Sequence, residues 1–271
     1  MSTAQQNHFL NTADEHEQAI VSIIEVLSRT YGLDRVWSDW IEISAIALAR
    51  ADRAQFEARE ARYLSIVKHY DKKEVDGLVQ AFAHLVMALE KRVENGQITD
   101  ILGKIFMMLN MGNSNSGQFF TPFDISLTMA QIITPKNGYD IIRQRGYIRL
   151  AEPTAGAGGM IIAYAKVMAD AGHNYQRELH VTATDIDSRC VHMTFIQLAL
   201  LNIPAVVIHG NSLTVEEWRH WYTPAHILGG WNWKLLGSET VNKQPDTPEP
   251  ELIRPAPSIE NRSTADQLQL F

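Results

Sequence analysis

The spacing of apolar residues changes character near residue 146. Before it, apolar positions recur at helical intervals in Val21-Ser-Ile-Ile-Glu-Val-Leu27, in Trp37 to Leu48 and in Leu78 to Met87. Residues 1–110 therefore read as a helical region, with Asp34 and Asp71 placed as helix caps. Arg50 to Tyr63 alternates acids and bases, the pattern of a solvated helix face. After residue 146 come three short strand-like runs: Gly146-Tyr-Ile-Arg-Leu-Ala151, Leu179-His-Val-Thr-Ala-Thr184 and Ala205-Val-Val-Ile-His209. Helical stretches, Met160 to Met168 and Cys190 to Leu201, separate them. Strands alternating with helices predict βαβ units and a parallel sheet, so residues 111–236 form an α/β core. The polar loop Asn110 to Gly117 joins the two parts and is placed to act as a lid. From 237 to 271 the chain turns polar and Pro-rich (Gln244 to Glu251, Ile253 to Ser258), a composition that cannot offset its ordering entropy and predicts disorder.

The first strand runs straight into Glu152-Pro-Thr-Ala-Gly-Ala-Gly-Gly159 and the chain re-enters as a helix. A strand that breaks into glycines before a helix opens a nucleotide-sized crevice at the carboxyl edge of an α/β sheet, although the same form also serves as a plain tight connection. Two common uses fail on spacing. A dinucleotide fingerprint started at Gly156 needs glycine where the chain has Ile161, and a phosphate loop needs a Lys-Ser or Lys-Thr pair that is absent. Glu152 at the mouth would repel a pyrophosphate and attract a cation, such as the α-amino group of a methionine-like tail. Asp185, ending the second strand in Asp185-Ile-Asp187, is placed to accept hydrogen bonds from two ribose hydroxyls. Asn211, after the third strand, could bond an adenine edge. A nucleoside-containing cofactor is the expected ligand.

Read with Gly117-Gln-Phe-Phe-Thr-Pro122 upstream, these segments occur in one order at βαβ spacing. Over residues 98 to 213 the chain resembles the N6-adenine DNA methylases, in particular the modification subunits of type I restriction–modification systems. The resemblance implies a Rossmann-like core that binds S-adenosylmethionine (SAM). Phe120, Thr121 and Pro122 would line its methionine side. Glu152, Thr154, Gly156 and Gly158 would hold its amino-acid part. Asp185 would bind the ribose, with Ile186 against the adenine. Asn211 stands where the family usually carries Asp. The implied reaction is direct methyl transfer to the exocyclic amine of an adenine extruded from the duplex. The family grips that amine with Asn or Asp, two prolines and an aromatic residue ending the fourth strand, and no such tetrapeptide follows Leu213. By position the nearest stretch is Pro224 to Trp233, read as a short apolar strand. Within it Asn232 could accept from an amine and Trp231 or Trp233 could stack on a base; tryptophans at such an edge also serve in packing. The sheet looks truncated, with an edge that needs cover from the amino-terminal helices or a partner. No target-recognition region is apparent, so sequence specificity would come from another subunit.

Composition changes the picture little. One cysteine, Cys190, excludes an internal disulfide and suits a reducing cytoplasm. No signal-like or membrane-spanning run appears, and ten histidines form no metal-binding pattern. A net charge of −7 argues against strong autonomous DNA binding. Gln267-Leu-Gln-Leu-Phe271 resembles the peptide by which bacterial replication and repair proteins dock on the DNA sliding clamp. Leu268, Leu270 and Phe271 would fill apolar pockets while Gln267 supplies a directional hydrogen bond; an amphipathic terminus packing on its own domain fits the same pattern. Two functions remain open: SAM-dependent DNA adenine-N6 methylation, or a SAM-binding accessory role without the chemistry in a restriction–modification or replication complex.

Overall fold

The computed structural model describes residues 13–109, 111, 119–134 and 139–241, with side chains through residue 236. The helical region consists of α1 (Glu15–Tyr31), α2 (Leu33–Leu48), α3 (Phe56–Val67), α4 (Lys72–Glu94) and α5 (Ile101–Met108). Asp14 caps α1 and Asp71 caps α4. In each, the glutamate three residues on reaches back to the cap backbone, so both are capping boxes. Asp34 is no cap. A single residue, Gly32 at φ 82°, ends α1 and starts α2, which leaves Asp34 in the first turn. The expected apolar stripes face inward: Ile20, Ile24 and Leu27 of α1, Trp37, Trp40 and Ile41 of α2, Leu78, Leu85 and Leu89 of α4. Trp40 donates its indole N–H to the Leu78 carbonyl at 3.1 Å, so the ring is buried without an orphaned donor.

Most charged residues of the run are exposed, as expected, but Asp52 and Arg59 are buried. Two 3₁₀ turns precede α3, and Arg59 lies within α3. Its guanidinium donates to Asp52 Oδ2 at 3.0 Å and to the His220 carbonyl at 3.1 Å, and lies 4.3 Å from the Trp221 ring centroid. Alternating charge cannot reveal that one side of α3 abuts the sheet.

The α/β part adds α6 (Phe123–Ile133), α7 (Asp140–Arg145), β1 (Ile148–Glu152), α8 (Gly159–Asp170), α9 (Tyr175–Glu178), β2 (Leu179–Asp185), α10 (Ser188–Leu200), β3 (Ala205–Asn211), β4 (Glu216–Tyr222), α11 (Pro224–Leu228) and α12 (Trp231–Val241). The strands lie in the order β1-β2-β3-β4. The first three are parallel and β4 is antiparallel to β3. Val181, Ala183 and Val207, on one sheet face, are fully buried. Trp221 shares that face through its pairing with Val207, and meets Phe195 and His192 of α10 at 5.2 and 4.9 Å between ring centroids. On the other face His180 lies under Trp231, while Arg149 and Ala151 are exposed.

The strand expected within 224–233 is absent. Thr223 caps α11, accepting from His226 N–H, and Pro224 fills its first turn, where the missing proline N–H costs nothing. The fourth strand is instead Glu216–Tyr222, rich in charged and aromatic residues, of which only Trp221 is buried. Among the described residues β1 pairs with β2 alone, so its second edge is open. The outer edge of β4 is partly covered, because Gln55 and Arg59 both donate to the His220 carbonyl. The helical and α/β parts share one hydrophobic cluster, which includes Ile24, Trp37 and Phe106 together with Ile161, Val181 and Phe195. The joining loop (Met111 apart), most of the Pro-rich tail and the terminal Gln267–Phe271 peptide lie outside the described residues.

Candidate functional site

The carboxyl ends of β1 and β2 open into a cavity of about 650 Å³. Its walls are Phe119, Phe120 and Thr121 on one side, the turn Thr154 to Ala157 with Gly159 and Met160 on another, and Asp185 to Asp187 with Cys190 on a third. Asp100 and Ser126 complete it.

The glycine turn is held in an unusual conformation. Gly156 and Gly158 have φ of +56° and +92°, which L side chains resist. A Cβ on Gly156 would also lie 3.1 Å from the Phe120 ring, so the glycine lets an aromatic side chain close on the turn. Phe120 is backed by Phe106, 4.9 Å away between centroids. The turn is tied to its surroundings through its backbone. Gly156 N–H donates to Asp185 Oδ2 at 2.8 Å, Thr194 Oγ1 donates to Gly156 O at 2.9 Å, and Gln197 Nε2 donates to Ala157 O at 2.7 Å.

Asp185 ends β2 with Oδ1 accepting from Asp187 N–H at 2.9 Å. Each carboxylate oxygen holds one backbone donor and keeps further acceptor capacity. Burial raises its pKa, against the hydrogen bonds that lower it. Ile186 beside it is 61% exposed, an uncovered apolar surface at the cavity.

Six residues expected at a cofactor therefore line one cavity: Phe120, Thr121, Thr154, Gly156, Asp185 and Ile186. Four others stand behind or beside it. Pro122 occupies the position before α6, and Gly158 lies against Thr194. Glu152 accepts from Thr154 N–H at 3.1 Å, and Asn211 Oδ1 accepts from Leu213 N–H at 3.0 Å in the turn toward β4. Trp231, Asn232 and Trp233 are away from the cavity lining. Trp231 is 2% exposed and stands edge-on to Tyr147, Asn232 Oδ1 is 2.8 Å from His226 Nε2, and Trp233 faces solvent. Sequence reasoning missed Asp100, Phe119, Ser126, Met160, Asp187 and Cys190. Asp100 carried one signal, its placement as a cap three residues before Gly103.

Residues 97–231 match the N-6 DNA methylase family. The matched segment begins just before α5 and ends at Trp231, so it contains the whole cavity. A solved structure from Listeria monocytogenes, described as a class I S-adenosylmethionine-dependent methyltransferase, is similar at 12% identity with a TM-score of 0.40. The similarity covers 74% of this chain and 55% of that one, so the chain spans about half the length of that structure. No curated protein matches the chain.

SAM is the cofactor that the methylase family implies, and the cavity fits it chemically. It combines a carboxylate for vicinal hydroxyls, apolar surface for an adenine, and an aromatic side chain beside a glycine turn. Ser126 also lines it, and among the described residues its buried hydroxyl has no hydrogen-bond partner. Among the described residues no cluster of three or more His, Cys, Asp or Glu could hold a metal ion, and no helix is long and apolar enough to cross a membrane.

Proposed function

We propose that this protein is the SAM-binding component of a DNA adenine-N6 methylase related to type I modification subunits, and that the groups gripping the target amine come from a second chain. One observation carries the reading. The cofactor cavity is assembled within the methylase match, yet no described residue on it reproduces the polar-and-aromatic grip that an extruded adenine requires. The open edge of β1 ends at Glu152, in the turn leading to the cavity, so a strand added there in parallel would bring its carboxyl end to that mouth.

In this reading Asp185 accepts the ribose hydroxyls, Ile186 and Phe119 supply apolar surface, and Phe120 closes the turn side. Bound SAM would supply a methyl group activated by its sulfonium. The protein's own contribution is positioning: fixed donors and a shaped wall lower the orientational cost of transfer. The net charge of −7 supports a partner that furnishes most of the phosphate contacts and reads the sequence. The same missing grip also favours a second reading, an accessory protein that binds SAM without transferring methyl. The peptide Gln267 to Phe271 adds a route to DNA through the sliding clamp; purified clamp should then bind the wild-type chain and lose Phe271→Ala.

Single-molecule detection of N6-methyladenine in the native host, wild type against Asp185→Ala, separates the two readings. A sequence motif methylated in the wild type alone supports the methylase. Identical methylation in both strains, with SAM binding intact in the purified wild type, supports the accessory role.

A further inference from the structure

Among the described residues, Asp100 is a buried carboxylate without a counter-ion. The residue is 7% exposed and lines the SAM cavity. Its Oδ1 is occupied, accepting from Gly103 N–H at 2.7 Å and from Gln197 Nε2 at 2.8 Å. Among the described residues Oδ2 accepts no hydrogen bond. Burial pushes the acid up to about 6, opposed only by the Gln197 and Gly103 hydrogen bonds, and no cation contributes. A carboxylate removed from water without a charged partner is strongly unfavourable. Capping α5 needs only one of its oxygens, which leaves the second unexplained.

The surroundings keep that second oxygen clear. A Cβ on Gly103 would collide with the Asp100 carboxylate, and one on Gly159 would lie 3.2 Å from Oδ2. Gly103 lies in the first turn of α5 and Gly159 is the first residue of α8. Ser126, on α6, gives an independent sign. It is 1% exposed and lines the same cavity, and among the described residues its hydroxyl has no hydrogen-bond partner. One cavity thus holds an uncompensated buried carboxylate and an unsatisfied buried hydroxyl.

We infer that Asp100 and Ser126 form the subsite for the amino-acid end of SAM, with Asp100 as counter-ion of its α-ammonium and Ser126 as a hydrogen-bond partner beside it. This rests on the cavity being the SAM site. It assigns the ammonium to a residue outside the glycine turn, whereas Glu152 stands off the cavity lining. The helical region thereby becomes part of the cofactor site, since Asp100 opens α5 while Gln197 of α10 bonds to it.

The test is a ligand cycle by calorimetry on the full chain, with SAM, with S-adenosylhomocysteine, which keeps the amino-acid end on a neutral thioether, and with 5′-methylthioadenosine, which shares that thioether but lacks the amino-acid end. Asp100→Asn keeps an oxygen for Gly103 and Gln197 and replaces the free acceptor by a donor. It is expected to weaken SAM and S-adenosylhomocysteine about 10- to 100-fold, the range for losing a charge-assisted hydrogen bond, and to leave methylthioadenosine within about twofold. Ser126→Ala breaks no bond among the described residues and so tests the subsite even if the first variant fails to fold. It should weaken SAM and S-adenosylhomocysteine several-fold and spare methylthioadenosine. If the wild type binds SAM and either folded variant leaves the ratio of S-adenosylhomocysteine to methylthioadenosine affinity unchanged, the subsite is overturned while the cofactor reading stands. If the wild type binds none of the three ligands, the cofactor reading falls and the subsite with it.

Discussion

Replacing Gly156 by alanine should damage both the fold and the cofactor site, and the structure sets the size of each effect. The residue has φ +56°, and holding an L side chain in that left-handed region costs about 1–2 kcal/mol. The new Cβ would lie 3.1 and 3.2 Å from two carbons of the Phe120 ring. That ring must give by a few tenths of an ångström, and Phe106 behind it limits the retreat. Strain and overpacking together amount to about 2–5 kcal/mol. At about 2–4 °C per kcal/mol for a domain of this size, that is a fall of about 4–20 °C in melting temperature. Phe120 lines the cavity, so SAM affinity should also drop, about tenfold for each 1.4 kcal/mol transmitted to the bound state. Thermal melts with and without SAM, with calorimetric titration, read both effects. In a Phe120→Ala background, Gly156→Ala should cost only the backbone share, the difference from its cost in the wild type being the packing share. A Gly156→Ala protein that melts within about 1 °C of wild type and binds SAM equally would refute the reasoning.

Arg59→Ala would strand the Asp52 carboxylate, 8% exposed, and remove the cation from Trp221. Chemical denaturation should show a loss of about 3–5 kcal/mol, with much of it restored by adding Asp52→Asn; a loss below about 1 kcal/mol would mean the pair is solvated. His180 is held neutral to about pH 3 by burial, with His226 and Arg149 acting in the same direction. The unfolded state therefore takes up protons first, so this contribution is complete above the ordinary histidine pKa and declines as pH falls below it. Between pH 7 and 5 the wild type should lose about 2 kcal/mol more stability than His180→Gln, measured by urea unfolding at each pH; parallel slopes would contradict it.

The parts legible in the sequence were those governed by local rules. Glycines at 156 and 158 were readable because a strand-to-helix turn needs positive φ. Asp185 was readable because the end of a strand places it at the crevice, and Asp71 because an acid three residues before Glu74 makes a capping box. What stayed hidden depends on tertiary neighbours. Arg59 reads as solvated until β4 is placed beside α3. Pro224 to Trp233 has the apolar content of a strand, but Thr223 and Pro224 start a helix there, and its tryptophan and histidine pack on His180 and Tyr147. Only the fold shows that Asp100 lines the cofactor cavity, and nothing in the sequence around Ser126 marks a hydroxyl that has no partner among the described residues.

Equilibrium binding of SAM to the purified full chain, wild type beside Asp185→Ala, tests the central claim most directly. Saturable one-to-one binding by the wild type is expected, weakened at least about tenfold in the variant through loss of a charged acceptor for the ribose. Thermal melts should confirm that both proteins are folded. A folded wild type that does not bind SAM, or a variant that binds it equally well, would contradict the account.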